Sequence, residues 1–191
     1  NTGGIRSSHY SSATVQDRQS IISYVFFNGK ALTEKVGDLF DLFNELFSEY
    51  SFENSKRLIE IIRSAKADME DSIVPSGNHY VQSRLQSYHS RLGKFDELTD
   101  GITYYRFLEG LLEQVEKDPQ AVAHQFQKVA ERIFTKQNIL FNVTCEEKDY
   151  PKIEKRLNSL YDLLSDGKSE VEKWDFKAVS ENEGFLTASN V

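Results

Sequence analysis

Apolar positions change their rhythm near residue 32. Before it they run together or alternate over short stretches; after it they recur at three and four. Residues 1–11 and 20–29 read as strands, the second carrying Ile21, Ile22, Tyr24, Val25, Phe26 and Phe27, with Asn28-Gly29 closing the run. The polar stretch from Ser11 to Gln19 joins them as a long loop or open hairpin. Leu32, Val36, Leu39, Phe40, Phe43, Leu46, Phe47 and Tyr50 then predict an amphipathic helix with a wide aromatic face. Thr33 and Glu34 suit its N-terminus, the hydroxyl as a cap and the carboxylate for the dipole.

A second helix is expected over 54–74, with Leu58, Ile61, Ile62, Ala65, Met69 and Ile73 on one side, broken by Pro75-Ser76-Gly77. A third covers 78–90, with Tyr80, Val81, Leu85 and Tyr88 as its buried face and Gly93 as its stop. A fourth runs from Phe95 or Thr99 to Lys117 through Ile102, Tyr105, Phe107, Leu108, Leu111, Leu112 and Val115. Asp118-Pro119 opens a fifth, to about Phe134, because proline in the first helical position after aspartate is a good start. Asn138 to Cys145 returns to strand through Ile139, Leu140, Phe141 and Val143. A last helix follows Pro151, with Ile153, Leu157, Leu160, Leu163 and Leu164, until Asp166-Gly167. Residues 169–191 are acidic and mixed, with Trp174 the one strong anchor, and read as a linker ending on a strand start at Gly184-Phe185-Leu186.

This order, strand–strand–helices–strand–helix, predicts an α+β fold with a small antiparallel or mixed sheet packed on several helices. It does not fit the regular alternation of a doubly wound parallel sheet. The expected division is a domain over 1–167 followed by a linker and the start of the next domain over 168–191. Strands are few for the number of helices, and the chain opens directly on a strand-like sequence. Both features predict a segment of something larger.

Composition narrows the function classes. The chain has 191 residues, 39% hydrophobic and 28% charged, which fits a folded chain with a real core. No apolar run approaches the roughly 18 residues of a membrane span. A net charge of −7 argues against nucleic acid or an anionic membrane as partner, since both need clustered Lys and Arg. Cys145 is the single cysteine, so no internal disulfide forms and a reducing compartment fits.

Candidate chemistry is sparse. A zinc hydrolase needs two imidazoles one helical turn apart with a carboxylate to activate water, and neither His-Glu-x-x-His nor its inverse occurs. The four histidines are His9, His79, His89 and His124; His79 and His89 are ten positions apart and cannot share adjacent turns. Gly3-Gly4 lacks the lysine and helix of a phosphate loop. Cys145 stands beside Glu146 and Glu147, which disfavour a thiolate, so it reads as a small buried hydrophobe. The adjacent pairs Asp96/Glu97 and Glu146/Glu147 cannot face each other on a helix and read as solvated. Asn142-Val143-Thr144 matches a glycosylation sequon by chance inside an expected buried strand. Tyr104-Tyr105-Arg106-Phe107 reads mainly as core. No catalytic, cofactor-binding or metal-ligating residue is assigned.

Several pieces taken in order carry a resemblance. They are Thr2-Gly3-Gly4-Ile5, Phe27-Asn28-Gly29-Lys30-Ala31-Leu32, Ser76-Gly77-Asn78-His79-Tyr80 with Arg84, Gly101-Ile102, Tyr105-Arg106-Phe107-Leu108, and Asn182-Glu183-Gly184-Phe185. In this order the chain resembles the central region of presequence-protease-like zinc peptidases of the insulinase and pitrilysin group, covering most of their third domain. Gly29 is expected to relax the backbone where strand becomes helix, and Tyr105, Phe107 and Leu108 to supply core. The resemblance implies a clamshell of two halves around a peptide chamber, with the zinc motif in the first domain and assisting residues in the fourth. This segment would then be a non-catalytic part of the chamber wall, with zinc expected only in the parent's first domain. Its partners would be the other domains of the same polypeptide and unfolded peptide substrate. Two alternatives stand beside this one: a self-standing helical protein-interaction module, or an inactive subunit partnering a catalytic chain. A cytoplasmic location is expected, with a mitochondrial or other organellar matrix as the alternative.

Overall fold

Two nine-residue strands, β1 (Ile5–Ala13) and β2 (Ile21–Gly29), form a two-stranded sheet. Backbone bonds from Gly3 N to Lys30 O and from Thr14 N to Ser20 O bracket the hairpin, so the strands run antiparallel. The computed structural model describes residues 3–167, 176 and 182–185. Among them, seven α-helices follow the hairpin: α1 (Val36–Ser48), α2 (Ser55–Ile73), α3 (Gly77–His89), α4 (Arg91–Asp100), α5 (Ile102–Lys117), α6 (Pro119–Ile133) and α7 (Tyr150–Leu163). The fold is the helix-rich α+β arrangement expected from the pattern. The expected anchor Trp174 and strand residue Leu186 lie outside the described residues.

The chain divides into two compact units. The first holds residues up to 8, 25–53 and 123–172; the second holds 9–24, 54–122 and 173–191. In the first unit, α1 and α7 contribute Val36, Phe40, Phe47, Ile153 and Leu160 to a core completed by Leu164. Phe27, Phe43, Phe134, Ile139, Phe141 and Val143 pack against it. The Phe47 ring meets Phe27 edge-on at 5.4 Å, stacks on Phe43 at 5.8 Å and leans on Phe134 at 5.0 Å. Offset and edge-to-face pairs of this kind add to the burial of the rings themselves.

Several expectations in this unit are corrected. Thr33 makes no capping bond; a short 3-10 turn over Thr33–Lys35 precedes α1, and the Thr33 hydroxyl donates to Asp149 Oδ2 at 3.2 Å. Gly29 has no unusual backbone angle. Its role is close packing, because a Cβ there would stand 2.6 Å from Leu39 Cδ1 and 3.0 Å from the Phe43 ring. Asn138 to Cys145 is not a strand: Asn138 closes a turn, its N–H donating to the Thr135 carbonyl at 3.1 Å, and the residues after it have no ladder partner among the described residues. Its alternation survives all the same: Ile139, Phe141 and Val143 face the core while Leu140 is 82% exposed. Cys145 is exposed rather than buried, and Asn142 is exposed too, so neither sits in a buried strand.

The second unit is built on helix pairs, α3 against α4 and α2 against α5. Met69, Tyr80, Ile102 and Leu108 form its core, with Ala65, Ile73, Tyr104 and Tyr105 partly buried around them. The helix expected from Phe95 or Thr99 to Lys117 is two helices, broken at Gly101. Gly93 does not stop α3; it lies in the first turn of α4, where a Cβ would stand 2.5 Å from the Gln86 carbonyl oxygen. That approach is what lets α3 and α4 close so tightly. Phe107 is 57% exposed and Ile61 51%, so neither adds the core area expected of it.

The helix starts show ordinary capping chemistry. The Asn54 side chain accepts the Arg57 N–H at 3.1 Å at the head of α2, and Asp118 accepts the Ala121 N–H at 3.0 Å at the head of α6. Replacing Asn54 by alanine leaves one of the first-turn N–H groups without its side-chain acceptor. A loss of ~1 kcal/mol is expected, measured by urea denaturation.

Candidate functional site

The buried face of α3 is not the apolar one. Val81 and Leu85 are 57% and 54% exposed, whereas Tyr80 and Ser87 are buried and Ser83 and Arg84 half-buried. Positions 80, 83, 84 and 87 lie on one side of a helix, so most of the inward face is polar. It meets Glu97 of α4, whose exposure is 0%.

Glu97 is the centre of the arrangement, which corrects its reading as a solvated residue. Its Oε1 accepts from Arg84 Nη1 at 3.3 Å, from the Thr103 N–H at 3.0 Å and from Thr103 Oγ1 at 3.1 Å. Its Oε2 accepts from Ser83 Oγ at 3.2 Å. Burying a charge is tolerated only with such pairing and hydrogen bonding. The bond from Thr103 N has a second meaning. Thr103 lies in the first turn of α5, whose N-cap residue, Gly101, has no side chain to accept a bond. Glu97 therefore caps α5 from the preceding helix and places a carboxylate at its positive end. Gly101 permits the approach, because a Cβ there would stand 2.1 Å from Glu97 Oε2.

Arg84 carries this network outward. Its side chain is 18% exposed and contacts Glu183, whose side chain is 19% exposed. Nη2 donates to Glu183 Oε1 at 2.7 Å, and Nε lies 3.2 Å from both carboxylate oxygens. The Tyr88 hydroxyl donates to the same Oε1. The guanidinium lies over the Tyr88 ring at 5.4 Å and near the Phe185 ring at 6.0 Å, and Arg106 covers Phe185 at 5.2 Å. Burial pulls the Arg84 guanidinium down, but hydrogen bonds to Glu183 and Tyr88 outweigh it and hold the group above its ordinary range. The hydrogen bond from Arg84, then that from Tyr88, keeps the Glu183 carboxyl below the usual carboxylate range.

Two motifs read separately in the sequence thus meet: Arg84, from the piece after Pro75, and Glu183-Gly184-Phe185, expected to begin a following domain. Sequence reasoning missed Ser87 because it searched α3 for an apolar face, and Glu97 because the adjacent pair Asp96/Glu97 reads as solvated. The usable signal was the polar series Ser83, Arg84 and Ser87 continuing the spacing of Tyr80.

The histidines fall apart into unlike places. His9 and His79 line one cleft of about 210 Å³ with Ser83, Asp96, Thr99 and Asp100. His89 lies at the end of α3, and His124 is exposed on α6. Asp96 accepts a bond from Ser11 Oγ at 2.9 Å, so it faces away from its neighbour Glu97. Among the described residues, no three or more His, Cys, Asp or Glu side chains are placed to hold a metal ion. No helix among them is long and apolar enough to cross a membrane.

A family profile described as peptidase M-16C associated matches residues 1–111, more than half of the chain. The chain belongs to this peptidase-associated family. The ordered motifs in the sequence point to the same group. This peptidase-associated chain is 27% identical over 190 residues to Protein HypA of Clostridium perfringens, covering 100% of the chain and 19% of that protein. It is 25% identical over 191 residues to presequence protease 1, chloroplastic/mitochondrial, of Arabidopsis thaliana, covering 100% of the chain and 18% of the relative. Against the mitochondrial presequence protease of Yarrowia lipolytica it is 29% identical over 146 residues, 76% of the chain and 15% of the relative. The chain thus spans less than a fifth of the length of these curated relatives.

Proposed function

We propose that the chain serves as a non-catalytic structural domain of a larger presequence-protease-like zinc metallopeptidase. That enzyme would degrade short unfolded peptides, and this domain would form part of the wall of its peptide chamber. The observation carrying the reading is similarity along the whole chain to proteins more than five times as long, one of them named a presequence protease. The surface supports it. Tyr10, Ile22, Tyr24, Val25 and Phe26 of the hairpin are 42–55% exposed, an apolar display that further chain would cover.

The described side chains do not fit a zinc site, since none of the possible ligands converge in a group of three. No reaction step is therefore assigned to them, and the metal would be held by other parts of the polypeptide. The part of this chain is support: each unit holds its own helices on its own core, and the Arg84 cluster ties residues 183–185 to α3 and α5 of the second unit. The mitochondrial and chloroplastic names of the presequence protease relatives favour an organellar compartment over a cytoplasmic one.

The test uses the purified 191-residue chain. It is expected to bind no stoichiometric zinc by elemental analysis and to leave a fluorogenic unfolded peptide uncut. Cleavage by the purified chain that a chelator abolishes would overturn the non-catalytic reading. Peptide photo-crosslinked within the full-length enzyme should label this domain; labelling of every other domain but this one would overturn its place in the chamber wall.

A further inference from the structure

The Arg84 guanidinium has two ends with separate partners. Nη1 is fixed from inside, by the wholly buried Glu97 at 3.3 Å and by Thr103 Oγ1 at 3.0 Å. Nε and Nη2 point the other way and form the forked contact with Glu183. An arginine fork matches a carboxylate in two parallel bonds, and this is the geometry in which arginine binds acids best. The inner anchor does not depend on Glu183. The fork is therefore already oriented before any carboxylate arrives, which removes much of the ordering cost of binding.

Beside the fork stand an aromatic donor and a second cation. Tyr88 gives its hydroxyl to the Glu183 carboxylate and its ring face to Arg84. Arg106 takes the face of Phe185. The surface thus recognises a carboxylate and, two residues later, an aromatic ring. Gly184 between them meets nothing within 4 Å of an added Cβ, so recognition rests on the two flanking side chains.

We propose that Arg84, Tyr88 and Arg106 form a preformed peptide-binding socket for an acidic residue followed at the second position by an aromatic one. Glu183 and Phe185 occupy it in cis, and the socket accepts the same motif from a separate peptide when they are removed. The occupant's contacts are a charge pair and cation–aromatic contacts at a partly exposed site, so the dock is releasable rather than a permanent part of the core.

The experiment uses the full chain carrying Glu183→Ala with Phe185→Ala. Neither side chain belongs to the cores described around Phe47 and Met69, so the folded units are expected to persist, as amide exchange of α3 and α5 would verify. In the unaltered chain the Arg84 Nε–Hε resonance should be shifted downfield and slow to exchange, and the double variant should lose both properties. Exchange of the amides of 183–185 should rise roughly tenfold or more once the contact is gone. A blocked peptide of sequence Asn-Glu-Gly-Phe-Leu should then restore the Arg84 signal in the variant, while the same peptide with glutamine for glutamate should not. An Arg84 resonance unchanged between the two chains would overturn occupation in cis. An Arg84 signal that stays lost at millimolar peptide, or that returns equally with the glutamine peptide, would overturn the preformed socket.

Discussion

Glu97→Ala is expected to lower stability by ~3–5 kcal/mol, the size typical of breaking a buried ion pair from one side. More than the ion pair is lost. Glu97 accepts from four donors on three residues, and its removal leaves the Thr103 N–H without its buried acceptor and the inner nitrogen of Arg84 with Thr103 Oγ1 in place of a charged partner. It also takes away the cap of α5, which Gly101 cannot replace. Glu97→Gln keeps the shape but turns an amide NH₂ toward donors on one side, so a smaller loss of about 1–3 kcal/mol is expected. Urea denaturation followed by circular dichroism measures both. If Glu97→Ala costs no more than an exposed substitution, about 0.5 kcal/mol, the carboxylate is not the organiser of the α3–α4–α5 junction.

Gly101→Ala offers a companion measurement. Its Cβ would stand 2.1 Å from Glu97 Oε2 and 2.8 Å from Glu97 Cα. The second contact is with backbone, so a rotation of the glutamate side chain cannot clear it, and a loss of about 1–3 kcal/mol is expected from overpacking. The two changes share one carboxylate and should not add: in the double variant the Gly101 effect should shrink, though not vanish.

The same residues explain what could be read from the sequence and what could not. Helices were legible wherever an apolar face ran unbroken, as along Leu39, Phe40, Phe43 and Phe47, because burial of that face is what stabilises the helix. The hairpin was legible for the related reason that β-branched and aromatic residues cluster in it. The α4–α5 break was hidden. Helical spacing continues past Gly101, and the capping acceptor, Glu97, lies upstream of it on a different helix. The candidate site was hidden more deeply, since α3 turns Ser83, Arg84 and Ser87 inward, and a search for apolar periodicity turns that helix the wrong way out. Asn138 to Cys145 failed in the opposite sense. Its alternation is real, and Ile139, Phe141 and Val143 do face inward, but a strand also needs a neighbour, and pattern alone cannot provide one. Family membership, by contrast, was legible from short motifs taken in order, and the family profile over residues 1–111 bears it out.

Two phenylalanines distinguish core from surface within this one chain. Phe47→Ala is expected to cost ~3–5 kcal/mol, as for a large aromatic removed from a packed core. Phe47 is 8% exposed and is held by rings on three sides: Phe27 from β2, Phe43 from its own helix, and Phe134 just beyond α6. These neighbours come from three separate stretches of the chain, so they cannot close over the space together, and a cavity should remain. Phe107→Ala removes the same atoms from α5, where the side chain is 57% exposed and has Tyr104 stacked at 6.2 Å. Its expected cost is within about 0.5 kcal/mol. The sequence places both residues on helices with apolar neighbours and assigns both to the core, so the comparison tests the packing rather than the composition. Equal losses for the two variants, read from urea midpoints at constant slope, would mean that the aromatic cluster around Phe47 does not hold the first unit together.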